Sequence, residues 1–264
     1  MNQNPIVLIS GWAMPAGAMK PLAEALAAEH RQVSIVELPG LVRESNAYKI
    51  SYNWDSLLAY LDHQLIEKPA FLLGWSLGGM LATLYASRHP HNVTAVINMG
   101  ANACFIRSDG WKEAMDPALF ANFYQGMSLS SKKTLQQFVR LCSAGSPRRK
   151  ELSKALQVIM TDAGFEHQAE YSTLFSLLEI LGKSDIRSAF DDIRCPVTHL
   201  FGKEDAIVPV VAANAIEQDC PKHRVQVLDG GHCFFMDDPK PVVSEVLRLS
   251  SGKEAYQREL DPCS

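Results

Sequence analysis

Six consecutive residues, Gly74-Trp75-Ser76-Leu77-Gly78-Gly79, set the tightest limit on what this chain can become. They place a Gly-x-Ser-x-Gly pattern directly after the apolar run Phe71-Leu72-Leu73 and directly before a helix-forming segment, Leu77 to Ala86. A strand that turns sharply into a helix needs glycines at both shoulders, because side chains there would meet neighbouring backbone. The turn holds the serine hydroxyl out above the end of a sheet. The pattern therefore predicts a buried strand, a tight elbow and a central helix, with Ser76 as candidate nucleophile.

The flanking sequence repeats the same grammar. Ile6 to Ile9 and Val33 to Leu38 read as strands, the second ended by Pro39-Gly40, and Pro21 to Glu29 reads as a helix between them. From Trp54 to Ile66 the residues Trp54, Leu57, Leu58, Leu61 and Leu65 recur every three or four positions and form one apolar face, and Pro69 closes the unit before the next strand starts at Ala70. Val93 to Met99 is again strand-like. Alternating strands and helices imply parallel strands covered by helices on both faces, an α/β fold.

After about residue 100 the grammar changes. Pro117 to Tyr124, Lys132 to Cys142, Arg149 to Met160 and Tyr171 to Leu181 read as helices with no buried strand between them. Strands return at Val197 to Phe201 and Arg224 to Leu228, with helices at Val210 to Glu217 and Pro241 to Leu249. The expected organisation is an α/β core over 1–99 and 186–249, a helical cap inserted over 100–185, and a polar tail over 250–264.

Composition bounds the partners. With 264 residues, 47% of them hydrophobic, one large domain can bury enough surface to need no staple. The net charge of −4 gives no global drive toward nucleic acid. Six scattered cysteines without a C-x-x-C pair fit neither a disulfide framework nor a zinc knot. No apolar run approaches a membrane span, and the N-terminus lacks the pattern of a signal peptide, so a cytoplasmic protein without membrane association is expected; a monomer is the expected state. No metal-ligand spacing and no Gly-rich phosphate loop occurs, so neither metal nor cofactor is expected.

A serine hydroxyl needs a base, and the base needs an orienting acid. Asp205 follows the strand ending at Phe201, and His232 follows the last strand, in Asp229-Gly230-Gly231-His232-Cys233. Both fall at carboxyl ends of strands, the edge to which the serine elbow also belongs. Glu204 is the runner-up acid and Asp229 a weaker one, while His30, His63, His89 and His91 read as solvated. His167 and His199 are the less easily dismissed histidines, His199 being either buried and hydrogen-bonded or turned to a helix. The oxyanion of an acyl-transfer intermediate needs two backbone N–H donors, for which Leu77 and Trp12 are the candidates. Trp12 is also a candidate substrate contact, and Trp75 reads more as packing.

These residues carry a resemblance. Gly11-Trp12, Leu38-Pro39-Gly40, the elbow, Leu178-Glu179-Ile180-Leu181 with Asp185-Ile186-Arg187, Asp205 with Val208-Pro209, and Gly231-His232 resemble the pimeloyl-acyl-carrier-protein methyl ester esterases of biotin synthesis, within the α/β-hydrolase superfamily. The resemblance runs to about Leu249. It implies an α/β-hydrolase fold, a triad of Ser76, Asp205 and His232, oxyanion donors Trp12 and Leu77, and a substrate site that includes Phe138. Ser10 stands where the family has histidine before the glycine, Glu37 stands where it has aspartate, and Leu41 to Glu44 lack its Gly-x-Ser turn.

One segment is charged against the rest of the chain. Lys132 to Lys154 holds seven basic residues and one acid, a local +6. Such a run is often only a solvated face. The resemblance implies instead that Lys133, Arg149 and Lys154 receive an acidic acyl-carrier protein; Gln137 stands where the family can carry arginine, which weakens docking unless Arg140 or Arg148 compensates. The expected carrier contacts are Lys133, Arg140, Arg149 and Lys154.

Overall fold

The computed structural model describes residues 4–39, 52–162 and 171–251. The expectations for Gly40, Leu41 to Glu44, His167, Cys263 and nearly all of the 250–264 tail lie outside the described residues. Six strands, β1 (Ile6–Ile9), β2 (Val33–Val36), β3 (Ala70–Trp75), β4 (Val93–Met99), β5 (Val197–Gly202) and β6 (Arg224–Leu228), form one sheet in the order β2-β1-β3-β4-β5-β6. Every neighbouring pair is parallel. All residues of β1 and β3 are buried, as continuous apolar runs in a doubly covered sheet should be, whereas β6 at the edge is half-exposed.

The helices α1 (Lys20–Ala28), α2 (Trp54–Gln64), α3 (Leu77–Arg88), α7 (Ala189–Asp192), α8 (Val211–Asp219), α9 (Phe234–Asp237) and α10 (Lys240–Ser250) cover both faces. α1 packs with α9 and α10, and α3 with α2 and α7. α3 is buried around most of its circumference because it lies between the sheet and other helices. α2 stops at Gln64, a half-turn short of the expected Ile66: Leu65 leaves helical conformation at ψ 91°, and Ile66 is 95% exposed. α7 and α9 were not legible as periodic segments, since four residues make only one turn.

Between β4 and β5 run α4 (Pro117–Cys142), α5 (Arg149–Asp162) and α6 (Tyr171–Lys183). Asp116 starts α4, its carboxylate accepting the Ala118 N–H at 2.8 Å, with Pro117 in the first turn. The helix is broken at Ser130 (φ −157°, ψ 70°), where the chain folds back on itself. The Phe123 and Phe138 rings consequently face each other 6.1 Å apart across the bend. The two helices expected at Pro117 to Tyr124 and Lys132 to Cys142 are the arms of this bent element, the first arm longer than expected. Among the described residues no helix is long and apolar enough to cross a membrane.

His199 on β5 is 1% exposed and takes the buried, hydrogen-bonded alternative. Its Nε2 pairs with His223 Nδ1 at 3.1 Å, and its Nδ1 lies 3.4 Å from the Asn98 amide nitrogen. Burial, with the neighbouring His223, pushes the His199 pKa down to about 3. The unfolded chain binds this proton near pH 6.5, so the contribution to stability is complete above about pH 6.5 and is lost progressively as pH falls toward about 3. Replacing His199 with Gln should therefore shrink the drop in melting temperature between pH 7 and pH 4.5, which thermal unfolding at both pH values would measure. An unchanged drop would refute the assignment.

Candidate active site

The parallel sheet sends every strand's carboxyl end to one edge, and the candidate residues follow those ends closely. Ser76 is the residue after β3, Trp12 lies three beyond β1, Asp205 three beyond β5 and His232 four beyond β6. Ser76 adopts φ 56°, ψ −119°, a conformation that an L-residue occupies only when its surroundings impose it, at about 1–3 kcal/mol. Its N–H donates to the Met99 carbonyl at 2.9 Å, and its own carbonyl accepts from Gly79 and Met80 in the first turn of α3. The elbow closes because two shoulders lack side chains. A Cβ on Gly74 would lie 2.3 Å from the Gly78 carbonyl oxygen, and one on Gly78 would lie 2.5 Å from the carbonyl oxygens of Ile9 and Ser10.

His232 Nδ1 and Asp205 Oδ2 are 2.7 Å apart, with both side chains fully buried. The other aspartate oxygen accepts the N–H groups of Ile207 and Val208 at 2.7 and 2.9 Å, so the carboxylate cannot swing away from the ring. His232 Nε2 is buried without a hydrogen-bond partner among the described residues, which leaves it as the ring nitrogen available for proton transfer. Glu204, the runner-up acid, points elsewhere: its carboxylate accepts the Gly230 N–H at 3.0 Å and braces the loop that carries His232. The elbow tryptophan plays a related part. Trp75 is fully buried, donates its indole N–H to the His232 carbonyl at 3.1 Å and meets the histidine ring at a centroid distance of 5.5 Å.

Leu77 opens α3, so its N–H belongs to the first turn, whose donors have no partner within the helix. The loop after β1 passes against the elbow, since a Cβ on Gly11 would lie 3.3 Å from Ser76 Cβ. Ser10 ties this loop to the end of β2 through N–H and hydroxyl bonds to the Val36 carbonyl, at 3.1 and 3.4 Å. The Glu37 carboxylate accepts the Ala16 N–H from the far side of the same loop.

Ser76 borders an apolar cavity of about 300 Å³. Trp12 and Phe138 line it, their rings edge-to-face at 4.9 Å, and the Trp12 indole N–H is held by the Leu174 carbonyl at 2.7 Å. Phe105, Phe120, Phe123, Leu178 and Ile207 complete most of the apolar wall. Sequence reasoning named none of these five as site residues. Phe120 and Phe123 share a helix face at spacing three, a signal of burial that could not show what the face would bury.

The basic residues divide. Arg140, Arg149, Lys150 and Lys154 line a surface cleft of about 420 Å³ between α4 and α5, whereas Lys133 is exposed on α4 outside it. Arg148 is engaged, its guanidinium lying 3.1 Å from both Asp237 Oδ1 and the Met236 carbonyl. Among the described residues no group of three or more His, Cys, Asp or Glu side chains is placed to hold a metal ion.

A strained serine between a parallel strand and a helix, with an acid and a histidine on later strand ends, defines a protein of the α/β-hydrolase class. The comparison with known families agrees: the chain belongs to the alpha/beta hydrolase fold family, whose model matches residues 4–239. It is related to the pimeloyl-[acyl-carrier protein] methyl ester esterases, being 30% identical to that of Xylella fastidiosa over 88% of this chain and 89% of the relative. It is also 30% identical, over 93% of its length, to the biotin biosynthesis bifunctional protein BioHC of Teredinibacter turnerae. There it matches 44% of the relative, so the chain spans somewhat under half the length of that protein. A crystal structure of a bromoperoxidase from Bacillus anthracis has the same fold, with a TM-score of 0.82 at 21% identity, covering 94% of this chain and 92% of that one.

The elbow geometry makes a direct prediction. Gly78→Ala should cost about 1–3 kcal/mol, because its methyl meets backbone carbonyls that cannot rotate away. Thermal unfolding should show a melting temperature lowered by several degrees; a value within about 1 °C of the parent would mean that the crossing relaxes freely.

Proposed function

We propose that this α/β-hydrolase-fold carboxylic ester hydrolase cleaves the methyl ester of pimeloyl-acyl-carrier protein, releasing methanol and the free carboxylate in biotin synthesis. The observation that carries the reading is the juxtaposition of Ser76 with an apolar cavity of about 300 Å³ walled by Trp12 and Phe138. At about 30 Å³ per water-sized group, that volume takes roughly ten heavy atoms, which suits a medium-length acyl chain with its terminal ester. The names of the related esterases support the choice of ester.

Ser76, His232 and Asp205 work as a triad. Ser76 Oγ attacks the ester carbonyl while His232 Nε2 accepts its proton, and Asp205 Oδ2 holds the Nδ1–H and stabilises the imidazolium that results. The N–H groups of Leu77 and Trp12 receive the oxyanion, a task to which the positive end of α3 contributes. Collapse of the intermediate expels methanol with the proton from His232. A water deprotonated by the same nitrogen then releases the acyl group as a carboxylate, and Ser76 regains its proton. No step calls on a metal or an organic cofactor.

Segment 100–185 serves as the cap. Its apolar side closes the acyl site, and its outer side carries Arg140, Arg149 and Lys154 at one cleft with Lys133 nearby on α4, a surface for an acidic carrier protein. Arg148 does not line that cleft, and its exposed guanidinium is engaged by Asp237.

Three measurements test the reading. Ser76→Ala should lower the hydrolysis rate by several orders of magnitude while the protein stays folded, and a folded variant keeping more than about a tenth of the activity would sink the nucleophile. Asp205→Asn should be severely impaired and Glu204→Gln much less so; the reverse order would mean that the acid is misassigned. Raising ionic strength from about 0.05 to 0.5 M should depress kcat/KM for the carrier-linked methyl ester and barely alter it for a small neutral ester, since exposed charge pairs are screened. Glutamate at 133, 149 and 154 together should widen that gap. Equal behaviour of the two substrates would remove the carrier protein and leave an esterase of small molecules.

A further inference from the structure

The turn that joins α4 to α5 lies against the loops that carry the acid and the histidine, and the packing is closer there than a covering layer requires. A Cβ on Gly231, the residue before His232, would lie 1.7 Å from the Ala144 carbonyl oxygen. The Ala144 carbonyl therefore occupies the place of a side chain beside the histidine. Gly145, at φ +78°, continues the contact: a Cβ there would lie 2.6 Å from Glu204 Cβ and 3.0 Å from Gly231 Cα. Cys142 and Cys233 are both buried at the same junction, and burial beside the Cys233 thiol raises the Cys142 pKa well above the ordinary range, which keeps it a protonated packing group.

One polar network closes the junction. Asp237, at the end of α9, accepts from Ser146 Oγ at 3.0 Å and from Arg148 Nη2 at 3.1 Å through the same oxygen, Oδ1. Ser146 Oγ also accepts the Arg148 N–H at 3.0 Å, and Arg148 reaches the Met236 carbonyl. The carboxylate side chain is only 12% exposed, and its second oxygen is buried without a partner among the described residues. Its charge thus rests on Ser146 and Arg148. α9 in turn holds Phe235 against Trp75, whose indole N–H supports the His232 carbonyl.

We propose that Asp237 and Arg148 are positioning residues for the hydrolytic reaction: their contact anchors the 142–148 turn behind His232 and so fixes the alignment of the imidazole toward Ser76. Neither residue lines the acyl cavity. Loosening the anchor should therefore reduce turnover without weakening substrate binding, because misplacing a proton-transfer group by a fraction of an ångström lowers rate while the binding walls stay as they are. The inference rests on the esterase reading given above.

The test uses the full chain, a small neutral p-nitrophenyl acyl ester, and active-site titration with a serine-directed fluorophosphonate. The isosteric change Asp237→Asn should lower kcat per titrated site on the order of tenfold, with KM within about twofold and full labelling stoichiometry. Labelling should itself be slower, since it needs the same serine activated by the same histidine. Arg148→Ala should repeat the effect, and Arg148→Lys, which keeps a cation against Asp237, should recover most of the loss. A merely structural role would lower the titrated fraction or the melting temperature and leave kcat per titrated site unchanged, and that outcome overturns the proposal, as does a loss confined to KM. If the parent protein neither turns over the ester nor takes the label, it is the esterase reading that fails.

Discussion

The site depends on a backbone crossing in which no side chain can stand. The first turn of α3 presses against the end of β3 at Gly74 and, at Gly78, against the carbonyl groups of Ile9 and Ser10, at distances that a Cβ on Gly74 or Gly78 would violate. That approach puts Ser76 at φ 56° and presents its hydroxyl above the sheet rather than within it. Strain of this kind persists only where the surroundings over-determine it. Here the flanking strands β1 and β4, both deeply buried, and the wholly packed helix α3 provide the constraint.

Around that fixed point the other groups are placed by loops rather than by regular elements, and each loop has its own brace. The acid is held by two backbone N–H groups at its second oxygen, the histidine by Trp75 and by the aspartate, and the loop after β1 by Val36 and Glu37. Glu204 shows how the division of labour works. A second carboxylate one residue away from Asp205 accepts an N–H from the histidine loop and so supports the pair without joining it. A site built from loops at one edge of a parallel sheet gains its precision from such secondary contacts.

The helices between β4 and β5 face two ways. Inward, the bent α4 sets Phe123 and Phe138 around an apolar space that reaches Ser76, and Trp12 is locked among them by its bond to Leu174. Outward, α4 and α5 carry a cluster of cations in a chain whose net charge is −4. Arg148 belongs to the cluster by sequence but is engaged elsewhere, its exposed guanidinium paired with the largely buried Asp237.

Much of this was legible in the order of residues. Strand positions, the helix face from Trp54 to Leu65 and the gathering of Ser76, Asp205 and His232 at one edge of the sheet followed from periodicity, glycine placement and chain order, because these signals are local or depend only on which strand end a residue follows. Short elements such as α7 and α9 were not legible, as one helical turn carries no period. The fold-back at Ser130 lies in a stretch without proline, and the sequence marked it only as a gap between two helical patterns. The role of Glu204 as a brace, the buried pairing of His199 with His223, and the separation of Arg148 from its basic neighbours depend on partners 24 to 89 residues away along the chain. Sequence by itself determined the α/β grammar and the chemical groups available to the site. Tertiary structure alone decided what the second acid, Glu204, braces, what encloses the serine and which cation is paired with Asp237, because those outcomes turn on distances of a few ångströms between segments that the chain brings together only when it folds.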